Sequence, residues 1–260
     1  MGSHTSAART VRSAPDPAAP RVGPAEVGYD VGLWRGLVRT GAWAALAGVA
    51  LIVVQVTVFL VWPPPRTAAE AFEVLVGQPL VGLLGLDLLY VVSNLLTFLL
   101  YLALAVVLWR VSRSAVAVAL GFGTLGMAAY LASPRFVEML LLARAHAGAD
   151  PQGQAALLAT GEGMLATWTG TAFDVYYVLN LVALLVLAVL MYRSDVFSRA
   201  TSLWGLAAAA LMAVPSNVGT VGVVLAVASL VPWSVFAVLV GRRLLRLVHL
   251  AGAAAAPAPG

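Results

Sequence analysis

From Ala200 to Val240 the chain reads ATSLWGLAAAALMAVPSNVGTVGVVLAVASLVPWSVFAVLV, with no Asp, Glu, Lys or Arg until Arg242. An α-helix rises about 1.5 Å per residue, so about 20 apolar residues cross the roughly 30 Å of bilayer hydrocarbon. This stretch is long enough for two crossings if the chain turns near Pro215, Ser216, Asn217 and Gly219, where turn-forming residues cluster. Working outward, four more uncharged runs meet the same test. Gly41 to Trp62 lies between Arg39 and a Pro63, Pro64, Pro65 stop, and Leu88 to Trp109 between Asp87 and Arg110. Ser114 to Pro134 lies between Arg113 and Arg135, and Val175 to Tyr192 between Asp174 and Arg193.

The expected fold is therefore all-α: a polytopic membrane helix bundle of six transmembrane helices. Composition agrees, because 62% of the 260 residues are hydrophobic and only 10% charged, against about 25% charged in soluble domains. The bundle is expected over residues 34–250. Residues 1–33 read as a disordered cytoplasmic segment rich in Ala, Pro, Gly and Ser, and 251–260 as a disordered tail of Ala, Pro and Gly. The first apolar run starts about forty residues in and is too long for a signal peptide, so it is expected to remain as a span.

Charge fixes the expected orientation. All fifteen basic residues are arginines. With the N-terminus inside, Arg9, Arg12, Arg21, Arg35, Arg39, Arg110, Arg113, Arg193, Arg199, Arg242, Arg243 and Arg246 are cytoplasmic, leaving only Arg66, Arg135 and Arg144 outside. Such a bias is the positive-inside pattern, and an odd number of spans would put the Arg242 to Arg246 group on the wrong side. Both termini are thus expected in the cytoplasm, with the chain multi-pass in the membrane. Tryptophans agree, since Trp43, Trp62, Trp109, Trp168 and Trp204 fall near span ends. Trp233, beside Pro232, sits deep and reads as packing.

Two outer segments read as short amphipathic helices. Thr67 and Glu70 have capping-box spacing, predicting a helix from about Ala68 to Val76. Leu157, Leu158, Met164, Leu165 and Trp168 repeat at helical spacing, with Glu162 and the glycines opposite and Glu162 expected to face water.

Polar chemistry inside the spans is sparse. Asp87, Tyr90, Asn94, Thr97 and Tyr101 fall at helical spacing on one face of the second span, and Asp174, Tyr177 and Asn180 open the fourth in a similar way. The inner loops Ser112-Arg113-Ser114 and Ser198-Arg199-Ala200 also match, as two repeated hairpins would. Lipid exposure would leave these polar groups unpaired, so both stripes are expected to face inward. The candidate pocket comprises Asp87, Tyr90, Asn94, Asp174, Tyr177 and Asn180, with Arg135 or Glu138 at its mouth. An aspartate at the outer end of a helix also serves simply to face water and the helix dipole, and that reading stands beside the first.

Other chemistry is excluded or unsupported. Without cysteine, disulfides, thiolate metal sites and cysteine nucleophiles are impossible. No phosphate loop, dinucleotide glycine pattern, zinc-type histidine pair or serine nucleophile elbow occurs. His146 is a lone outer histidine, and neither cofactor nor metal is expected. The arginines flank apolar runs, so membrane topology and not nucleic acid accounts for them.

The stretches Leu86 to Leu104 (LDLLYVVSNLLTFLLYLAL), Tyr130 to Leu142 (YLASPRFVEMLLL), Ala159 to Asn180 (ATGEGMLATWTGTAFDVYYVLN) and Tyr192 to Leu206 (YRSDVFSRATSLWGL) resemble a bacterial six-span membrane family, domain of unknown function 4386. The resemblance covers about Arg66 to Leu247 and implies the fold, with no activity to carry over. Arginine without lysine suggests a GC-rich bacterial genome.

Three functional classes remain. The first is a membrane protein that binds or senses a lipid or small hydrophobic ligand through an outward-facing polar pocket. The second is an enzyme acting on a lipid or isoprenoid in the manner of a terpene cyclase, with Asp87 or Asp174 as general acid. The third, ranked last, is a transporter, because the span centres hold nothing more polar than Gln55, Thr97 and Tyr101. The partner common to all three is the lipid bilayer; the oligomeric state is open.

Overall fold

The computed structural model describes residues 21–254. Among them the chain is helical, with no strand: α1 (Pro24–Leu33), α2 (Arg35–Val61), α3 (Ala68–Gly77), α4 (Pro79–Gly85), α5 (Leu88–Leu108), α6 (Arg113–Leu131), α7 (Phe136–Ala147), α8 (Pro151–Trp168), α9 (Thr171–Arg193), α10 (Arg199–Leu211) and α11 (Gly219–Ala254). Five stretches among these residues are long and apolar enough to cross a membrane: Arg35–Val61, Leu88–Leu108, Arg113–Ala147, Pro151–Arg193 and Gly219–Ala253. Many of their valines and leucines, such as Val53, Leu60, Leu125, Val224 and Val231, are exposed. An all-helical bundle with an apolar exterior is the form of a multi-pass membrane protein.

Local chemistry sets the helix ends. The three prolines after Trp62 cannot donate to the helical ladder, and α2 ends before them. Thr67 caps α3 by accepting from the Glu70 amide at 3.2 Å, while the Glu70 carboxylate reaches one residue past the cap to the Arg66 amide at 2.7 Å. The two matching loop serines are both caps: Ser112 accepts from the Ala115 amide at 3.3 Å and Ser198 from the Thr201 amide at 3.1 Å.

The helices α2, α5, α6, α9, α10 and α11 form a ring in which successive members touch, and α6 contributes Met127 and Tyr130 to its interior. Lipid tails are as apolar as leucine, so close backbone approach, not the hydrophobic effect, holds such helices together. Gly41 makes that approach between α2 and α5, since a Cβ there would lie 2.7 Å from the Leu99 carbonyl oxygen.

One end of the bundle gathers the loops after α5 and α9. Arg110 pairs with Asp30, Arg21 with Asp195 at 3.6 Å, and Arg243 Nε donates to the Val196 carbonyl at 2.6 Å. The other end carries α3, α7 and α8, which pack around Phe72, Leu75 and Met139.

Several expectations need correction. Disorder over 1–33 does not hold for α1, whose Val27 and Val31 are fully buried and which packs against α11; residues 1–20 lie outside the described region. The expected tail is helical as far as Ala254, because α11 continues without a breaker; residues 255–260 also lie outside. In α8, Gly161 is buried, because Phe72 and Ala68 of α3 occupy the space of its missing side chain. The Glu162 carboxylate accepts the Ala68 amide of α3 at 2.8 Å. It caps a neighbouring helix as well as facing out.

Candidate functional site

The bundle is solid at one end and hollow at the other. Toward the arginine-rich end Leu100, Leu104, Leu184, Leu187, Phe236 and Val240 fill the ring. Toward the end carrying α3, α7 and α8 it encloses a cavity of about 470 Å³, within the range of small-molecule pockets. The α2–α11 pair shows why. Toward the arginine-rich end a Cβ on Gly241 would lie 3.0 Å from the Ala42 carbonyl oxygen, so the two backbones nearly touch. Toward the other end Val56 of α2 and Val223 and Val227 of α11 all border the cavity while also being exposed, so the space reaches the bundle surface between these helices.

Asp87 stands at the roof. Its backbone φ is +71°, the sole non-glycine left-handed residue among those described. This conformation separates α4 from α5 and is one that aspartate tolerates better than most residues. The side chain makes no capping bond to α5 and turns into the bundle. Its Oδ2 accepts from Trp168 Nε1 at 2.7 Å and from the Tyr130 hydroxyl at 3.2 Å. Only 7% of the residue is exposed. Burial disfavours the charged form and outweighs these two donors, so the carboxyl is pushed up to about 6.

Around Asp87 the walls are aromatic. The Tyr130 and Tyr176 rings lie 4.8 Å apart, Tyr176 and Tyr177 5.6 Å, Phe173 and Tyr177 5.0 Å, and Phe59 and Tyr90 6.5 Å. Deeper, Asn94 Nδ2 donates to the Tyr90 carbonyl at 2.9 Å and Asn180 Nδ2 to the Tyr176 carbonyl at 3.1 Å. Asn180 Oδ1 and both side-chain polar atoms of Gln55 are buried without a partner.

Of the residues singled out in the sequence, Asp87, Tyr90, Asn94, Tyr177 and Asn180 line this one cavity. Asp174 does not; its carboxylate accepts from Asn217 Nδ2 at 2.8 Å, and the same amide donates to the Thr169 carbonyl at 2.8 Å. The expectation of two aspartates in one pocket is corrected here, and the cause is register. Asn94 follows Asp87 by seven residues, but Asn180 follows Asp174 by six. With the two buried asparagines superimposed, Tyr176 corresponds to Tyr90 and Phe173 to Asp87, so Asp174 is rotated off the stripe by about 100°. Arg135 and Glu138 are also absent from the lining and pair with each other across the start of α7 at 3.7 Å.

Sequence reasoning missed Tyr130, Tyr176 and Phe173 altogether, and took Trp168 and Trp233 for interface and packing residues. Trp233 does pack, its ring 5.7 Å from Phe236, but it also lines the cavity. The position four residues before Asn180 carried a signal for Tyr176. Nothing local joins Trp168 to a residue eighty-one positions away.

No family model matches the chain, and neither a curated protein nor a solved structure is significantly similar to it. The site's own chemistry has to carry the functional reading.

Proposed function

We propose that the chain is a six-span protein of the bacterial plasma membrane, with both termini cytoplasmic, that binds or senses a lipid or small hydrophobic molecule in the outer cavity. The observation that carries this reading is the cavity itself: an apolar space, open sideways between α2 and α11 and bordered by Gln55 and Asn180, whose amides carry buried polar atoms with no partner. Leaving such atoms unsatisfied costs about 1–3 kcal/mol each, a cost that a bound hydrogen-bonding group removes.

The sixth crossing falls to α10. Its 13 residues span only about 20 Å as helix. The segment around it supports a full traverse, because Ser198 follows the loop that meets Arg243, while Asn217 meets Thr169 and Asp174 at the opposite end of α9. The arginine distribution favours the same even number. Membership of the family that residues 66–247 resemble belongs to this proposal too.

The test is native mass spectrometry of protein purified in mild detergent, set against Ala226→Trp, which fills the cavity from α11. A molecule retained by the wild type and absent from the variant supports binding. No retained molecule and no binding of added hydrophobic probes would refute it.

A second reading, an enzyme acting on a lipid or isoprenoid, is favoured by one observation: the Asp87 carboxyl is buried against an apolar cavity, where burial pushes it up to about 6 and lets it hold a proton for a substrate. Turnover of an isoprenoid by the wild type and its loss in Asp87→Asn would select this reading. A transporter has the least support, since Gln55, Thr97 and Tyr101 form no charge relay across the bundle.

A further inference from the structure

We infer that the cavity's ligand is a lipophilic organic cation, an ammonium carried on apolar groups, held by the Asp87 carboxylate inside a cage of aromatic rings. The inference rests on the binding reading above and specifies its ligand class.

Asp87 supplies the charge. Both of its donors end on Oδ2, and among the described residues no donor reaches Oδ1. It takes part in none of the ion pairs found there, and no Arg, Lys or His lines the cavity. Burying a carboxylate without a counter-charge is costly, and a ligand carrying a positive charge repays that cost. An anionic headgroup would meet the reverse situation, a carboxylate with no cation to offset it. At pH 7 the carboxyl, at about 6, is mostly ionised and available for this role.

The rings supply the second half of the recognition. Tyr90, Tyr130, Trp168, Tyr176 and Tyr177 all border the same space as Asp87. Aromatic faces carry negative potential and bind ammonium groups, most strongly where water is excluded. A neutral lipid would use only their apolar area. The combination of one unpaired carboxylate with a run of packed rings is specific for positive charge, and the opening between α2 and α11 lets apolar substituents extend into lipid.

The probe pair is benzyltrimethylammonium and its uncharged carbon isostere neopentylbenzene, measured by equilibrium dialysis against the purified full chain at pH 7.5. Wild type is expected to bind the cation at least about tenfold tighter than the isostere. Asp87→Asn, which keeps a residue suited to the left-handed backbone, should bring the two affinities together. Tyr177→Leu, which leaves the carboxylate in place, should weaken the cation severalfold and the isostere less, and it serves if the Asn variant does not fold. Equal affinities in the wild type overturn the cation inference while leaving the hydrophobic-ligand reading intact. Failure of both probes to bind overturns both.

Discussion

Trp168, the last residue of α8, donates its indole N–H to the carboxylate of Asp87, the residue before α5, at 2.7 Å. That bond ties the helical layer at one end of the bundle to the roof of the cavity. Ser133 holds Trp168 from behind, its hydroxyl donating to the Trp168 carbonyl at 2.5 Å. A hydrogen bond to an ionised group contributes about 1.5–3 kcal/mol. Trp168→Phe keeps the ring and removes the donor, so it should destabilise the protein by about that amount. It should also raise the Asp87 carboxyl above its value of about 6, because a donor that favours the charged form is gone. Thermal melting and the pH dependence of the protonated-carboxyl infrared band check the two effects.

Asp87 also gives stability a pH dependence of definite sign. Its carboxyl titrates at about 6 when folded against 3.8 when unfolded, so between these values the folded protein holds more protons. Stability therefore falls as pH rises through that window, by on the order of 3 kcal/mol, and levels off above it. The polar groups around it from α5, α6, α8 and α9 are Tyr90, Tyr130, Trp168 and Tyr177, none of which titrates there. The melting temperature of the wild type relative to Asp87→Asn should be higher at pH 4.5 than at pH 7.5. A constant difference across that range would refute the assignment.

Gln55 is only 6% exposed and neither polar atom of its amide has a partner. Gln55→Leu should stabilise the ligand-free protein by about 1–3 kcal/mol, because an unsatisfied buried amide is replaced by an apolar group of similar size. The same variant should retain less ligand if the amide serves binding. Unfolding in detergent measures the first effect and native mass spectrometry the second.

Gly41 sits where α2 meets the backbone of α5. Gly41→Ala sets a methyl 2.7 Å from the Leu99 carbonyl oxygen, and a backbone atom cannot swing aside as a side-chain tip can. The helices must separate, at a cost of about 1–3 kcal/mol. Gly48→Ala, on the same helix with open space around it, should be close to neutral. Melting temperatures of the pair decide it.

The chain contains no cysteine, so single introduced cysteines give an unambiguous topology test. Cysteines at Ser112 and Ser198 should resist an impermeant thiol reagent in intact cells, while those at Gly153 and Val218 should react. The contrast between 198 and 218 reports on α10 alone. Equal behaviour at these two positions would reduce the crossings to five.

How far the sequence reaches is plain in the two aspartate stripes. The uncharged runs, the proline stop after Trp62 and the cap at Thr67 act within a turn or two of helix, and so the long apolar helices and α3 were legible in the sequence, whereas α1, α4 and α7 were not. The inward aspect of Asn94 and Asn180 was legible too, since a polar amide amid apolar neighbours has to find the interior. The difference between Asp87 and Asp174 was not. It comes from a left-handed backbone at position 87 and from a spacing of seven residues against six, which directs one carboxylate to Trp168 and the other to Asn217. The hollow end of the bundle likewise depends on helices far apart in sequence: Gly241 holds α11 against Ala42 of α2 at one end, and the two helices leave the cavity between them toward the other. Spacing along one helix specifies which face a side chain lies on. Only the packing of helices against one another decides whether that face meets a partner, lipid or an open cavity.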